Sequence, residues 1–415
     1  MPTITIAKKE VRSEVTFSRS ELITTLLIAG LGFFVDVYDI VLFAVVRVSS
    51  LLGLGVSSAQ SLTQGVLLLN VQMAGMIVGG LLWGILGDKK GRKSILFGSI
   101  LLYSVANLLN GFVNSVPAYE ILRFLAGVGL AGEVGAAMTI AAEITPRKYR
   151  AYGTSAVAGL GIAGAIMASY IGGILPWRMA FITAGIAGLV LLFARMSMKE
   201  TTLFEKMHYT AVMKGSLKLL FGSKKRTFRL MRCVIAAIPL WFAIGILVSF
   251  APEIVHNPGN IVFSVASIAL SYSLGETMGE VVSGLISQLF RSRKIAMLIF
   301  LSGAFISAFA VLNSSPQMYG IFCFPLGFFV GYWSVVITST AEQFGTNLRS
   351  TATTLVPNLV RASVIPMSFL FGLLSTIIGV TASAAFAGII CFLMAAVAII
   401  SMDETFGKDL DFLEV

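Results

Sequence analysis

The feature that most constrains this chain is its punctuation: apolar stretches of roughly twenty residues, separated by short polar breaks, recur from about residue 22 to about residue 402. A helix of about 20 residues crosses the hydrocarbon core of a bilayer, and lipid offers the backbone no hydrogen-bond partner. Each stretch must therefore satisfy its own peptide groups as an α-helix. Composition agrees, with 57% hydrophobic and 12% charged residues and a mean hydropathy of +0.90, outside the range of soluble domains. The reading is an all-α integral membrane protein. Spans are expected at about 22–46, 63–87, 94–113, 117–141, 152–174, 179–197, 231–254, 262–288, 295–313, 317–340, 352–377 and 380–402.

A net charge of +10 would suggest nucleic acid in a soluble protein. Here the placement of the charge decides otherwise. All but four of the 30 Lys and Arg lie in the N-terminal leader, at the breaks after spans 2, 4, 6, 8 and 10 with the adjoining helix ends, or in the C-terminal tail. The exceptions are Arg47, Arg123, Arg178 and Arg361. Basic residues concentrate on the cytoplasmic side of membrane proteins, so both termini are expected in the cytoplasm, with an even number of crossings. The expected partner is the lipid bilayer, with no nucleic acid. The leader has no small-residue cleavage site, so span 1 reads as a retained helix. Cys233, Cys323 and Cys391 fall in apolar spans without ligand spacing, and only His208 and His256 accompany them, so no metal site is expected.

Landmarks recur at a nearly constant offset. Glu143 and Arg150 in AAEITPRKYR return as Glu342 and Arg349 in TAEQFGTNLR, an offset of 199; SMKET after span 6 returns as SMDET after span 12, an offset of 204. Gly84 before GDKKGRK matches Gly284 before SQLFRSRK, where Gln288 replaces the acid. Such repetition marks duplicated halves. The expected organisation is a cytoplasmic leader at 1–21, a six-helix bundle at 22–197, a basic cytoplasmic linker at 198–230, a second six-helix bundle at 231–402 and a cytoplasmic tail at 403–415.

The break after span 2 reads GILGDKKGRK, with Gly84, Asp88, Gly91, Arg92 and Lys93 in one short connection. Glycines allow a sharp turn and close helix approach, while an acid at a helix end caps it or pairs with arginines of nearby loops. Such a cluster suits a gate. This loop closely resembles the signature loop of the major facilitator superfamily. RFLAGVGLAGE and EITPRKYR in and after span 4, and VYDIVLF in span 1, resemble its sugar-porter and metabolite:proton-symporter branches. The resemblance covers the whole chain and implies twelve transmembrane helices in two pseudo-symmetric bundles. It also implies that Asp88, Gly91, Arg92, Glu143, Arg150, Glu342 and Arg349 form a cytoplasmic gate, whose partly exposed pairs contribute modestly and act by biasing a two-state equilibrium. With Gln288 in place of an acid, the second half's gate is expected to be weaker or differently wired.

Ionisable groups inside spans are costly unless paired or wetted, which makes each a functional candidate. Seven stand out: Asp36, Asp39, Arg123, Glu133, Glu276, Glu280 and Arg361. At about 1.5 Å per helical residue, Asp36, Asp39 and Arg123 reach similar depth and can pair. An aspartate beside an arginine stays ionised; in a dry site it takes a proton once the arginine withdraws. By the resemblance, Asp39 and Arg123 are the proton-coupling pair, with Asp36 one turn away as a second site or helper. Arg361, flanked by Pro357, Asn358 and Pro366, is the best candidate contact for an anionic substrate, its rival role being a pair with Glu276. Glu276 and Glu280 share a helix face and cannot both be charged in a dry site, so either is a candidate second proton carrier. Glu133 reads as structural. Tyr38, Gln72, Trp241, Tyr272, Tyr332, Trp333 and Asn358 are candidate wall residues of a substrate cavity.

No nucleotide-binding loop is present, so neither ATP-driven transport nor a cofactor is expected. The superfamily's antiporter branches carry a Gly-Pro element in span 5, where this chain has GLGIAGAIMASYIGG without proline. That favours symport or uniport over drug/proton exchange. The chain is expected to be no enzyme, but a monomeric secondary transporter moving a small organic anion with protons by alternating access. Export or antiport of a metabolite or carboxylate siderophore, and a transporter-like sensor without flux, stand as alternatives.

Overall fold

The computed structural model describes residues 19–90, 92–144, 150–196, 217–255, 265–408 and 414. The first half comprises α1 (Arg19–Gly53), α2 (Ser58–Lys90), α3 (Arg92–Asn110), α4 (Val116–Ile144), α5 (Arg150–Ile174) and α6 (Trp177–Met196). After a short helix at Leu217–Phe221, α7 runs from Lys224 to Phe242 and continues as a π-helix over Ala243–Val248. α8 (Val265–Leu289) and α9 (Arg293–Leu312) follow. α10 is broken into Pro316–Val330 and Trp333–Gln343, α11 into Thr346–Ala362 and Val364–Ile378, and α12 is Val380–Ser401. Eight helices among the described residues, α1, α2, α6, α7 and α9 to α12, are long and apolar enough to cross a membrane.

The helices overrun the spans expected from hydropathy, because polar ends continue a helix once its apolar centre has formed. α7 starts at Lys224 instead of 231: the KKRTFR run expected in the linker forms its first turns, since Lys and Arg are good helix formers whose long stems reach back toward water. The breaks in α7, α10 and α11 lie near prolines or glycine. Pro239 precedes the π-helix, Gly331 follows the first part of α10, and Pro357 and Pro366 flank the break in α11 at Ser363. A proline withdraws a backbone donor and crowds the preceding turn.

Within the first half α1 packs on α5, α2 on α4 and α3 on α6; the corresponding pairs of the second half are α7 on α11, α8 on α10 and α9 on α12. The halves meet where α5 packs on α8 and α2 on α11, with α1 also touching α8 and α4 touching α11. Two helix pairs approach backbone to backbone. A Cβ on Gly75, Gly79 or Gly127 would collide with the carbonyl of Phe124, Val128 or Gln72; on Gly275, Gly279 or Gly327 it would collide with that of Phe324, Phe328 or Tyr272. Glycine spaced by four is what permits such contact between membrane helices. Every glycine and every partner in the second set is offset by 200 from its counterpart in the first.

Candidate functional site

Three positions apart on α1, Asp36 and Asp39 are both fully buried. Asp39 turns into its own half. Arg123 of α4, also fully buried, approaches it at 3.2 Å through Nη1 and 3.4 Å through Nη2, and Gln72 of α2 donates to it at 2.7 Å. Arg123 in turn donates to Asn107 of α3 and lies over the Phe181 ring at 4.8 Å. Aspartate and arginine are thus held by five helices of one bundle.

Asp36 turns the other way. Arg361 of α11 donates to Asp36 through both terminal nitrogens, Nη1 to Oδ1 at 3.1 Å and Nη2 to Oδ2. Trp241 of α7 lies against the same guanidinium at 5.6 Å, a cation–π contact. This bidentate pair bridges the halves, and α1 carries both ion pairs within one turn. Buried pairs of this kind contribute little net stability, but removing one partner strands a charge at a cost of about 3–5 kcal/mol.

The partner of Arg361 is therefore Asp36, and the pair with Glu276 is not formed. Sequence depth alone could not separate the two acids; the choice is made by α11 packing on α2 and α4 of the other half. Glu276 and Glu280 are half-buried on α8, and their carboxylates make no hydrogen bond or ion pair among the described residues. Glu133 is fully buried and grips Arg195 at 2.6 and 2.9 Å while accepting from Ser99 at 2.6 Å. Arg195 had been grouped with the basic residues at the break after span 6, yet it is buried within the bundle.

The expected wall residues divide. Trp241 and Asn358 accompany Arg361, Asn358 lying close to Gly80 of α2. Gln72 is committed to Asp39. Tyr38 is buried and stacks on Phe34. The hydroxyl of Tyr332 donates to the Ala236 carbonyl at 2.7 Å, which marks packing of α10 on α7, and Trp333 is half-buried against the core. Tyr272 and Ser273 of α8 keep hydroxyls without partners. They line a gap with Val41 and Ala44 of α1 and Ile244 and Val248 of the π-helix, too narrow for a water molecule. The halves are closed together at this level.

Of the residues expected to form a cytoplasmic gate, Gly91 and the side chains of Asp88, Arg92, Glu143 and Arg150 lie outside the described residues. In the second half Glu342 does not pair with Arg349, seven residues on. Arg293 of α9 holds it at 2.8 and 3.1 Å and Thr405 donates to it at 2.7 Å, while Arg349 donates to the Ala341 carbonyl. Glu404 completes the cluster, accepting from Ser292 and from the backbone amides of Arg293, Thr405 and Phe406. Sequence reasoning missed Arg293, Asn107 and Arg195 as partners. A polar residue inside an apolar run was the available signal for Asn107.

The family model for the Major Facilitator Superfamily matches residues 22–257. The chain belongs to that superfamily. Across 91% of its length it is 24% identical to a probable 4-methylmuconolactone transporter of Cupriavidus pinatubonensis, covering 89% of that protein. To the gentisate transporter of Corynebacterium glutamicum it is 26% identical, over 76% of this chain and 73% of the relative. Its fold is similar to a solved D-xylose-proton symporter, with a TM-score of 0.71 at 18% identity, over 94% of this chain and all of that one. The protein is accordingly a superfamily transporter of small organic metabolites, not an enzyme, and a multi-pass protein of the cytoplasmic membrane.

Proposed function

We propose that this superfamily member carries a small organic anion together with protons by alternating access, in the direction of symport. The observation that carries the reading is the pair of buried aspartates on α1, one held within the first half by Arg123 and the other held across the halves by Arg361. A substrate carboxylate offers Arg361 the same two oxygens that Asp36 does, and Arg matches that fork bidentately. Substrate thereby competes with Asp36, which is freed to take a proton, while Asp39 loads when the bundle shifts Arg123 away. The Trp241 face beside the guanidinium favours a ring-bearing acid, and gentisate, the cargo named for one relative, is such a compound. Twelve membrane crossings, cytoplasmic termini, two six-helix bundles joined by a basic linker, and a monomer acting alone belong to the same proposal.

The test is uptake of gentisate and related ring carboxylates by reconstituted vesicles with and without an inwardly directed proton gradient. The expected result is accumulation above equilibrium only with the gradient, lost in Asp39→Asn. Equal accumulation with and without the gradient overturns proton coupling. Unchanged apparent affinity in Arg361→Gln overturns the carboxylate site.

A further inference from the structure

Beyond the two pairs on α1 that serve the transport reading, the same helix carries a third charged contact, near its far end. Arg47 is fully buried and spans the two halves. Its Nη2 donates to both carboxylate oxygens of Glu253 at 2.7 Å, and Nη2 and Nε donate to the Ser249 carbonyl at 2.9 and 3.2 Å. Nη1 reaches the Ser61 carbonyl of α2 at 3.3 Å. The Phe250 ring covers the guanidinium at 4.3 Å and packs in turn on Phe371 of α11. Gly65 of α2 leaves the room, since a Cβ there would run into the guanidinium. One side chain of the first half is therefore bound by three groups of the second, Glu253, Ser249 and Phe250.

Both acceptors follow the π-helix of α7, Ser249 directly and Glu253 on the short helix Ala251–Ile254. Ser249 lies at the end of the π-helix, and the Ser249 amide reaches back five residues to Ile244 at 3.1 Å. At the other end of that segment stands Trp241, on the guanidinium of Arg361. π-helical turns are rare and recur at functional sites.

We propose that Arg47, Glu253, Ser249 and Phe250 form the latch that shuts the outer end of the protein, and that the π-helix of α7 links it to the Arg361 site. Opening to the outside requires Arg47 to leave both acceptors and the Phe250 ring at once, so the latch is a discrete element with made and broken states. A substrate that moves Trp241 shifts the register at Ser249 and biases the latch. The inference rests on two halves that rock against each other, but its test reads distance and not flux, so a failure of the substrate or proton reading leaves it standing.

The measurement is pulsed electron-spin distance spectroscopy between nitroxides at Ser57→Cys and Gln317→Cys, exposed positions at the outer ends of the two halves. The latched protein is expected to give one short-distance population. Glu253→Gln, which is isosteric and removes the charge, and Arg47→Gln are each expected to add a population longer by at least ~5 Å, the scale of a one-turn helix shift. Arg47→Lys, keeping the charge, is expected to fall between. A distance distribution identical to the parent in both Glu253→Gln and Arg47→Gln overturns the latch, even if both variants lose thermal stability, because a contact that only fixes packing does that.

Discussion

In the first half α2 meets α4 at Gly75, Gly79 and Gly127; in the second, α8 meets α10 at Gly275, Gly279 and Gly327, on partners displaced by the same 200 positions. The backbone plan was duplicated and kept. The charges were not. Where the first half buries Asp39 against Arg123 and Glu133 against Arg195, the second leaves Glu276 and Glu280 without a partner among the described residues and sends Arg361 across to Asp36. Packing depends on shape, and close backbone contact tolerates only glycine, so it resists divergence. A buried charge depends on a specific partner and can be rewired whenever the partner changes. On the proposed function, this difference gives coupling to the first half and substrate to the second.

The largest expected effect breaks that assignment at its first term. Asp39→Asn should abolish accumulation driven by a proton gradient while preserving exchange of substrate between the two faces, measured as counterflow. Since it strands Arg123, at about 3–5 kcal/mol, monodispersity in detergent must be checked alongside. If Glu276→Gln abolishes coupling and Asp39→Asn does not, the division between halves is inverted.

Next comes the substrate term. Arg361→Gln should weaken apparent affinity by at least about 30-fold, because losing one partner of a desolvated charge pair costs about 2 kcal/mol or more. Arg361→Lys should fall between, since an ammonium cannot reproduce the fork. A competition binding assay on solubilised protein reads this without reference to coupling.

Much of this was legible from sequence, for reasons that differ by level. Hydropathy reports length and apolarity, so the spans were readable, but it does not report helix ends: KKRTFR of α7 looked like linker because charge alone does not stop a helix. Asp39 and Arg123 could be paired by depth and by the family motif. The partner of Arg361 could not, because Asp36 and Glu276 lie at comparable depth and only the docking of the halves selects between them. Glu342 and Arg349 were read together as members of one charge network because they recur in the repeat, but neither the repeat nor the motif named Arg293 of α9, which holds Glu342. The glycine repeat at offset 200 was present in the sequence all along, but single glycines carry no meaning there until helix contacts say which ones face a backbone.

A smaller effect tests the shared plan. Gly79→Ala and Gly279→Ala each push a methyl group into a facing carbonyl, and overpacking of this sort costs about 1–3 kcal/mol. The two losses, read as shifts in thermal unfolding in the same detergent, should agree to within about 1 kcal/mol if the helix pairs are equivalent. A tolerated substitution on one side only would show that the halves have diverged in packing as well as in charge.

The smallest effect concerns the cluster between α8 and α9 of the second half, where Glu404 accepts from Ser292 and from the Arg293 amide. Partial burial opposes ionisation of Glu404, but the Ser292 hydroxyl and the amides of Arg293, Phe406 and Thr405 outweigh it and hold the carboxyl at about 2, against roughly 4.3 for a free glutamate. A carboxyl depressed on folding lends stability that is present above its unfolded value and lost as pH falls through the folded one, here between roughly 4.3 and 2. Because Glu404 is exposed, solvent screening leaves only about 0.5 kcal/mol of this. Glu404→Gln should therefore lower thermal stability slightly at pH 7 and not at all near pH 2, with the difference closing across that window. A pH-independent loss would mean that the side chain acts through packing and that the charge holding this cluster is that of the Arg293–Glu342 pair.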